Sequence, residues 1–356
     1  MTHVLAVRLD SLGDLIVTGP ALRALAATAD RLTLLCGPRG RAVADLLPGV
    51  DEVLVWEAPW IDPEPDPVRT DDVTALVARI ADLRVDRAVV LTSFHQSALP
   101  TALLLRMAGV PWIGAVSRDY PGSLLDLRLT EPGRVPEPEA QLRLAEACGG
   151  MLPPGDDGGL RVEADPADAD RLLGTERPRA PYVVLHPGTS VPARAWPVDG
   201  YRATAALLAE QGYGVVVTGS PDERALTASV AAAAPGALDL GGRTDLAGLA
   251  AVLHGAVAVV VGNTGPAHLT AAVGTPIVSL FAPTVPAEVW APYGVPRVLL
   301  GDQHARCRDS RAAVCPVPGH PCLSSVTAAE VVAAVHRLVP SRRGHAELAM
   351  EGGGVR

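Results

Sequence analysis

The sequence contains no lysine, so arginine supplies all 30 of its basic residues. This absence excludes a Schiff-base lysine, a pyridoxal-phosphate lysine and the lysine of a Walker A loop. Aromatic residues make up only 3% of the chain, too few for a base-stacking platform that binds single-stranded nucleic acid. The formal net charge of −9 also disfavours nucleic acid and anionic membrane surfaces as partners. Any bound anion must therefore be held by local groups.

Other missing features narrow the class of protein further. No window of about 18 uncharged apolar residues predicts a transmembrane helix, and Arg8 and Asp10 interrupt the apolar start that a signal peptide needs. Five cysteines, an odd number in a long chain, argue against a disulfide scaffold. We therefore expect a cytoplasmic protein. Without a GxGxxG motif, a nicotinamide or flavin site of an oxidoreductase has no support.

Short apolar runs alternate with segments of helical period along most of the chain. Nearly continuous Val- and Leu-rich runs, each followed by a turn and a helical segment, are typical of parallel strands buried on both faces. The sequence therefore predicts a doubly wound α/β fold. The predicted strands form two series: Val4–Leu9, Leu32–Cys36, Glu52–Val55, Ala88–Thr92 and Trp112–Ala115, then Tyr182–His186, Gly214–Thr218, Ala237–Asp239, Val257–Val261 and Ile277–Phe281.

One Pro- and Gly-rich interruption separates the two series and predicts two domains. With 356 residues, 48% of them hydrophobic, the chain can fill two cores. Residues 153–181 read as the linker. We predict one α/β domain over 1–175, a second over 176–322, a terminal helix over 323–340 and a flexible tail over 341–356. The Pro- and Asp-rich stretch from Pro59 to Asp72 is predicted to be an exposed loop.

Because ligands bind at the carboxyl ends of parallel strands, the loops after the strands are where chemistry is expected. Gly13 and Asp14 follow the first strand, at the start of a helix predicted to run to about Ala29. An ionised Asp14 facing a cleft can accept a proton from an attacking hydroxyl. The alternative is that Asp14 only caps the helix. His95 and Ser97, after a later strand, are either acceptor contacts or ordinary loop residues.

Two loops of the second series have features of anion sites. Thr189 and Ser190 follow a glycine and offer hydroxyl donors, and Arg194 offers a bidentate cation. In the second loop, Pro266 begins a helix after Thr264 and Gly265, so the N–H groups of Thr264, Gly265 and Ala267 are predicted to form an anion seat beside His268. Each loop has a purely structural alternative, a turn with a surface arginine or a core histidine.

Two weaker patterns remain. Glu223 begins a helix after a strand and either accepts hydrogen bonds from a nucleoside or is a routine helix-start acid. Cys307, Cys315 and Cys322 lie near His304 and His320, but their spacings do not match paired zinc motifs. A Cys₃His site therefore competes with the simpler interpretation of reduced thiols in a long loop, and we predict no metal and no cofactor.

Taken together, these segments resemble glycosyltransferase family 9, the heptosyltransferase-like family of GT-B enzymes. The resemblance covers roughly residues 3–338. It rests on motifs in order along the chain: Leu12-Gly13-Asp14, His186-Pro187-Gly188-Thr189 with Arg194-x-Trp196-Pro197, Gly219-x-Pro221-x-Glu223, and Thr264-Gly265-Pro266-Ala267-His268-Leu269 continuing through Gly274-Thr275-Pro276 to Leu280-Phe281-Ala282-Pro283-Thr284. The last block is the most specific.

The resemblance implies two Rossmann-like domains around a cleft, with the acceptor bound by 1–175 and the donor by 176–322, and an inverting, metal-independent transfer of a sugar. The implied donor is a nucleotide-diphosphate sugar such as ADP-heptose, and the acceptor is a hydroxyl of a glycan, a glycolipid such as the lipopolysaccharide core, or a small molecule. Any approach to a membrane would come through the acceptor alone. The implied residues are Asp14 as general base, Thr189, Ser190, Arg194, Glu223, Asn263, Thr264, Gly265 and His268 for the donor, and Gly13, His95 and Ser97 for the acceptor.

Two residues depart from the family pattern. Arg194 stands where the family usually has lysine, and Asn263 where it usually has aspartate. The alternatives to glycosyl transfer are a GT-B-fold epimerase acting on a nucleotide sugar and a sugar-nucleotide binding protein without catalysis. Asn263 favours the second slightly, whereas the retained Asp14 argues against it.

Overall fold

A computed structural model describes residues 1–61, 65–93, 95–130 and 133–339. Two six-stranded sheets form its framework, and every neighbouring pair of strands is parallel. The first sheet has the order β3-β2-β1-β4-β5-β6 and the second the order β12-β11-β10-β7-β8-β9. Both sheets therefore have the same doubly wound topology. The strands are β1 His3–Arg8, β2 Arg31–Cys36, β3 Glu52–Val55, β4 Arg87–Val90, β5 Ile113–Val116, β6 Leu127–Leu129, β7 Tyr182–His186, β8 Gly214–Val217, β9 Leu238–Asp239, β10 Ala258–Gly262, β11 Ile277–Leu280 and β12 Arg297–Leu300.

Helices cover the faces of each sheet, and we call each sheet with its helices a lobe. The first lobe carries α1 Leu12–Val17, α2 Gly19–Ala26, α3 Arg41–Ala44, α4 Thr70–Leu83, α5 Leu99–Met107 and α6 Glu137–Ala147. The second carries α7 Pro166–Leu173, α8 Val198–Glu210, α9 Arg224–Ala231, α10 Leu246–His254, α11 Gly265–Ala272, α12 Ala287–Trp290, α13 Pro321–Ser324 and α14 Ala328–Leu338. Central strands β1, β7, β10 and β11 are buried along their whole length. This burial on both faces explains why the strands read as continuous apolar runs.

The predicted fold class is confirmed, but the prediction missed two strands. These are β6 and β12, which lie at the edges of their sheets and are only partly buried. An edge strand with one neighbour needs no continuous apolar run, so the pattern that revealed the central strands was absent here.

Predicted helix boundaries were wrong in several places. The helix predicted from Asp14 to about Ala29 is two helices, α1 and α2, that meet at Thr18, because Pro20 occupies the first turn of α2 and cannot continue α1. The terminal helix is also interrupted, and Thr327 begins α14 with a reciprocal cap to Glu330. The predicted tail, 341–356, lies outside the described residues.

The predicted linker and loop contain more regular structure than expected. Within 153–181 lies α7, capped by Asp165 and packed against α10 of the second lobe. The predicted loop from Pro59 ends earlier than expected, because α4 begins at Thr70. The boundary at 175/176 stays a prediction. Among the residues that the structure describes, no helix has the length and apolarity to cross a bilayer.

Candidate functional site

The site lies where the carboxyl ends of the two sheets face each other. In each sheet the strand order reverses at its centre, between β1 and β4 and between β7 and β10. Loops leaving adjacent strands at such a point diverge and leave a crevice. Asp14, His95, Thr189 and Thr264 each follow one of these four strands. The topology therefore brings the separately predicted motifs to the carboxyl ends of the central strands of the two sheets.

The starts of α1 and α11 hold the two lobes in close contact. A Cβ added to Gly13 would lie 3.2 Å from the Gly265 Cα and 3.2 Å from the His268 Cδ2, and one added to Gly265 would lie 2.9 Å from a Leu12 methyl. Two glycines face each other here because any side chain would separate the helices. Asp14, the next residue after Gly13, is thereby brought to the second lobe.

Two adjoining cavities occupy the cleft. The smaller, of about 340 Å³, is lined by ten of the twelve predicted site residues: Gly13, Asp14, His95, Thr189, Ser190, Arg194, Asn263, Thr264, Gly265 and His268. The larger, of about 570 Å³, is lined mainly by the first lobe and includes the predicted Ser97. Ser93, His95, Gln96, Val285 and Arg311 line both cavities, so these adjoin. Glu223 lines neither.

Asp14 caps α1 and also faces the cleft, so its two predicted roles are geometrically compatible and the catalytic one stays a prediction. Its Oδ2 accepts hydrogen bonds from the hydroxyl and backbone N–H of Ser11, at 2.6 and 3.3 Å, so it closes the cap of α1. Its Oδ1 lies 3.4 Å from a guanidinium nitrogen of Arg8, and the side chain retains 22% exposure toward the smaller cavity. Capping therefore fixes the carboxylate without removing it from the cleft.

Three polar atoms that line the smaller cavity are buried without a hydrogen-bond partner among the described residues. They are Arg194 Nε, Thr264 Oγ1 and His268 Nδ1. Desolvation lowers the pKa of His268 to about 4, with Asp14 opposing and Arg194 adding to the decrease. Desolvation also lowers the pKa of Arg194. Buried polar atoms are nearly always satisfied, so this arrangement suits a polar, anionic ligand that accepts from these groups.

The anion seat at the start of α11 is smaller than predicted. The Thr264 N–H donates to the Gly262 carbonyl at 2.9 Å, and the Ala267 N–H donates to the Thr264 carbonyl at 3.0 Å. Of the three predicted donors, only the Gly265 N–H has no acceptor within the described part of the chain. The N–H groups of Thr264 and Ala267 are already bonded, the first in the tight turn before the helix and the second in the first 3₁₀-like hydrogen bond of the helix.

Asn263 lines the cavity, but its side chain has a structural role. Its Oδ1 accepts from the Ala282 N–H at 3.3 Å and its Nδ2 donates to the Ala282 carbonyl at 3.4 Å. The amide thus pairs with both backbone groups of one residue, which a carboxylate cannot do. Its backbone carbonyl accepts from Arg194 at 3.2 Å and orients that guanidinium toward the cavity.

Glu223 lies behind the loop that carries Thr189. A Cβ added to Gly188 would lie about 2.1 Å from the Glu223 carboxylate, so that carboxylate occupies the space above the glycine. Glu223 also accepts from the Ser220 N–H at 2.8 Å. Nearby, burial lowers the pKa of His186 to about 4 while Glu223 raises it, and a ring nitrogen contacts the Thr218 hydroxyl at 2.9 Å. A nucleoside contact for Glu223 stays a prediction.

Arg311 lines both cavities and was not predicted from the sequence. It sits in the left-handed region, with a φ of 58°, in the segment between β12 and α13. It crosses the cleft and donates to His95 Nδ1 at 2.7 Å. Desolvation within the cleft, and then the charge of Arg311, lower the pKa of His95 to about 4. His95 therefore accepts as a neutral imidazole at the boundary of both cavities.

A further contact between the lobes closes one side of the larger cavity. Arg134 of the first lobe donates to Glu288 at 2.8 Å and to Asp309 at 2.6 Å, both in the second lobe. All three side chains retain 34–56% exposure.

The cysteines give no geometric support for a metal centre. Cys307 and Cys322 are buried in the second-lobe core, and desolvation raises the pKa of Cys322 to about 11. Among the described residues, no group of three or more His, Cys, Asp or Glu side chains is arranged to hold a metal ion. The Cys₃His alternative therefore has no support in this part of the chain.

Two facing doubly wound lobes define the class of GT-B proteins, and comparison with solved structures agrees. A family 9 glycosyl transferase from Veillonella parvula superposes with a TM-score of 0.77 at 18% identity, covering 95% of this chain and 97% of that chain. The ADP-heptose lipopolysaccharide heptosyltransferase II of Escherichia coli superposes with a TM-score of 0.74 at 20% identity, covering 95% and 98%. These matches establish the fold.

Sequence comparison identifies the family. The model of glycosyltransferase family 9 (heptosyltransferase) matches residues 76–319, and the chain belongs to that family. Lipopolysaccharide heptosyltransferase 1 of Pseudomonas aeruginosa is 40% identical over 135 residues, which cover 38% of this chain and 37% of that relative. Lipooligosaccharide heptosyltransferase 2 of Haemophilus influenzae is 34% identical over 121 residues, which cover 32% and 34%. The chain thus matches about a third of the length of these curated relatives.

Proposed function

We propose that this protein is an inverting glycosyltransferase that needs no metal and moves a heptose-like sugar from a nucleotide-diphosphate donor to a hydroxyl of a glycan or glycolipid. The observation that carries the proposal is the smaller cavity, where Asp14 of the first lobe faces Arg194 and the start of α11 of the second. A base and an anion site on opposite walls are what direct displacement at a sugar carbon requires. The names of the relatives support ADP-heptose as donor and a lipopolysaccharide-type acceptor.

The donor's diphosphate binds to the second lobe. Arg194, the Thr189 and Thr264 hydroxyls and the Gly265 N–H surround the place where negative charge increases as the sugar–phosphate bond breaks. Preorganised donors at such a place stabilise the transition state. His268 is neutral, so it contributes a hydrogen bond rather than a charge. Residues 176–322 are thus proposed to bind the donor, and residues 1–175 the acceptor.

The acceptor occupies the larger cavity and presents its hydroxyl at the boundary with the smaller one. Asp14 takes the hydroxyl proton as the oxygen attacks the anomeric carbon from the face opposite the diphosphate. The new carbon–oxygen bond forms as the bond to phosphate breaks, and the electron pair leaves with the nucleoside diphosphate. His95, Gln96 and Arg311 line the boundary and position the acceptor.

The test is Asp14→Asn with ADP-heptose and a lipopolysaccharide-core acceptor, assayed in EDTA. Asparagine retains an oxygen for the Ser11 cap, so the fold should persist. We expect turnover to fall by about 10²–10⁴, with ADP affinity unchanged in calorimetry.

Three results would contradict the proposal. Near wild-type turnover of a folded Asp14→Asn variant would leave Asp14 as a cap only. A strict requirement for a divalent ion would contradict the metal-free scheme. Conversion of the donor when no acceptor is added would instead indicate an epimerase.

A further inference from the structure

Arg8 is a fully buried cation directly behind Asp14. It is the last residue of β1, and its side chain has 0% exposure. The guanidinium lies 2.8 Å from Asp10, 3.3 Å from Glu137 and 3.4 Å from Asp14, and it donates to the Ser93 hydroxyl at 2.8 Å.

The two oxygens of Asp14 are held from different sides. Ser11 holds Oδ2 through the helix cap, whereas Arg8 faces Oδ1 from the buried side. The cap fixes one oxygen of the carboxylate, and the guanidinium 3.4 Å away faces the other. A base that must accept a proton from the attacking hydroxyl needs such a fixed orientation.

Three carboxylates share the guanidinium of Arg8, so each of them interacts with only part of its charge and its N–H donors. Asp10 lines the smaller cavity and Glu137 the larger, but their side chains are only 8% and 5% exposed, whereas that of Asp14 is 22% exposed. Desolvation raises the pKa of Asp10 and of Glu137 despite the nearby guanidinium. The two inner acids also have neutral donors, because Gln96 donates to Asp10 and Gln141 donates to Glu137 at 2.8 Å. These amide donors satisfy part of the hydrogen-bonding capacity of Asp10 and Glu137, which leaves N–H groups of Arg8 available to Asp14.

We propose that Arg8 is a positioning residue for the sugar transfer, holding the Asp14 carboxylate oriented toward the cleft, and that Glu137 sets the strength of this interaction by competing for the same guanidinium. The inference rests on the proposed function, since it takes Asp14 to be the base. The charged and titratable groups that act on Asp14 are Arg8, Asp10, His95, Glu137, Arg194, His268 and Arg311. Only Arg8 contacts it as an ion pair within the described residues.

The experiment measures kcat and KM of Arg8→Gln and Glu137→Gln from about pH 3 to about pH 9, a range that includes the ordinary titration of a carboxyl group, using ADP-heptose and the core acceptor. Loss of an opposite charge within about 4–6 Å shifts a carboxyl titration upward by about one unit or more. For Arg8→Gln we therefore expect the midpoint of the ascending limb of kcat to move to higher pH, with a loss of about tenfold at pH values below the wild-type midpoint. Glu137→Gln removes the competitor, so its midpoint should move to lower pH.

Rescue and control variants separate positioning from folding. Arg8→Lys keeps the charge and should restore the wild-type midpoint. Arg23→Gln is the matched control, because Arg23 is also buried and paired with a carboxylate, Asp156 at 2.6 and 2.9 Å, but lines neither cavity. It should lower thermal stability without moving the pH profile. If Arg8→Gln does not fold, the direction in which the kcat midpoint of Glu137→Gln moves still tests the proposal.

Opposite shifts for Arg8→Gln and Glu137→Gln support the proposal, and unchanged midpoints in both, or a Glu137→Gln midpoint that does not fall, overturn it. Calorimetry with ADP should give wild-type affinity for both variants, since the donor groups lie on the other lobe. Failure of the proposed function looks different. In that case Asp14→Asn retains turnover whatever Arg8 does, whereas inactive Asp14→Asn with unmoved profiles rejects only the role of Arg8.

Discussion

Gly13→Ala tests whether direct contact between the lobes sets the catalytic geometry. The new methyl would lie 3.2 Å from both the Gly265 Cα and the His268 Cδ2. Carbon atoms prefer separations of about 3.5–4.0 Å. Because the first of these neighbours is backbone, the lobes must separate by roughly half an ångström. The carboxylate of the adjacent Asp14 then moves relative to the donor site.

This displacement gives the expected size of the effect. A misplacement of about 1 Å costs about 10²-fold in rate, so half of that predicts a loss of about tenfold in kcat/KM. That loss corresponds to about 1.4 kcal/mol of transition-state stabilisation. Stability should not fall in parallel, because alanine is preferred over glycine inside a helix by about 1 kcal/mol.

The assay is steady-state sugar transfer with saturating ADP-heptose, combined with thermal unfolding of the same samples. Gly19→Ala is the matched control: it also replaces a helical glycine of the first lobe, but its Cβ would meet its nearest neighbour, Arg23, at an ordinary 3.7 Å. It should keep wild-type kcat/KM. If folded Gly13→Ala transfers sugar as fast as Gly19→Ala, the contact between the two glycines does not govern the chemistry.

Two further substitutions test the second lobe. Arg194→Ala should weaken ADP binding by at least tenfold, since a charge-assisted hydrogen bond contributes about 1.5–3 kcal/mol; equal affinity in calorimetry would move the diphosphate site elsewhere. Asn263→Asp restores the carboxylate usual in the family but loses the donor that pairs with the Ala282 carbonyl 3.4 Å away. We expect it to lower the free energy of unfolding by about 1–3 kcal/mol, and a denaturant midpoint equal to wild type would show that the amide pairing is dispensable.

Most of the site residues could be predicted because each lies in a loop directly after a strand that is recognisable in the sequence. Asp14 and Thr264 could be placed because each follows a continuous apolar strand, and parallel topology brings such loops to one edge. The role of Asn263 could not be deduced, since its partner, Ala282, follows a different strand and only the folded register shows the pairing.

Residues brought to the site from distant segments were missed for a similar reason. Glu137 reaches Arg8 across 129 positions, and Arg311 reaches His95 across 216. Neither has a local motif, and Arg311 lies in a segment without helix or strand. The buried environment of Arg8 was equally hidden, because an arginine at a strand end reads as exposed until the surrounding carboxylates are known.

The bridge from Arg134 to Glu288 and Asp309 has a consequence for substrate passage. Ion pairs as exposed as these contribute about 0–1 kcal/mol each and weaken as salt increases. Their sum is only a few times the thermal energy, so an entering molecule can displace the bridge at little cost. The lobes can therefore separate easily at this rim of the cleft. The glycine contact between α1 and α11, by contrast, limits how closely the lobes can approach each other.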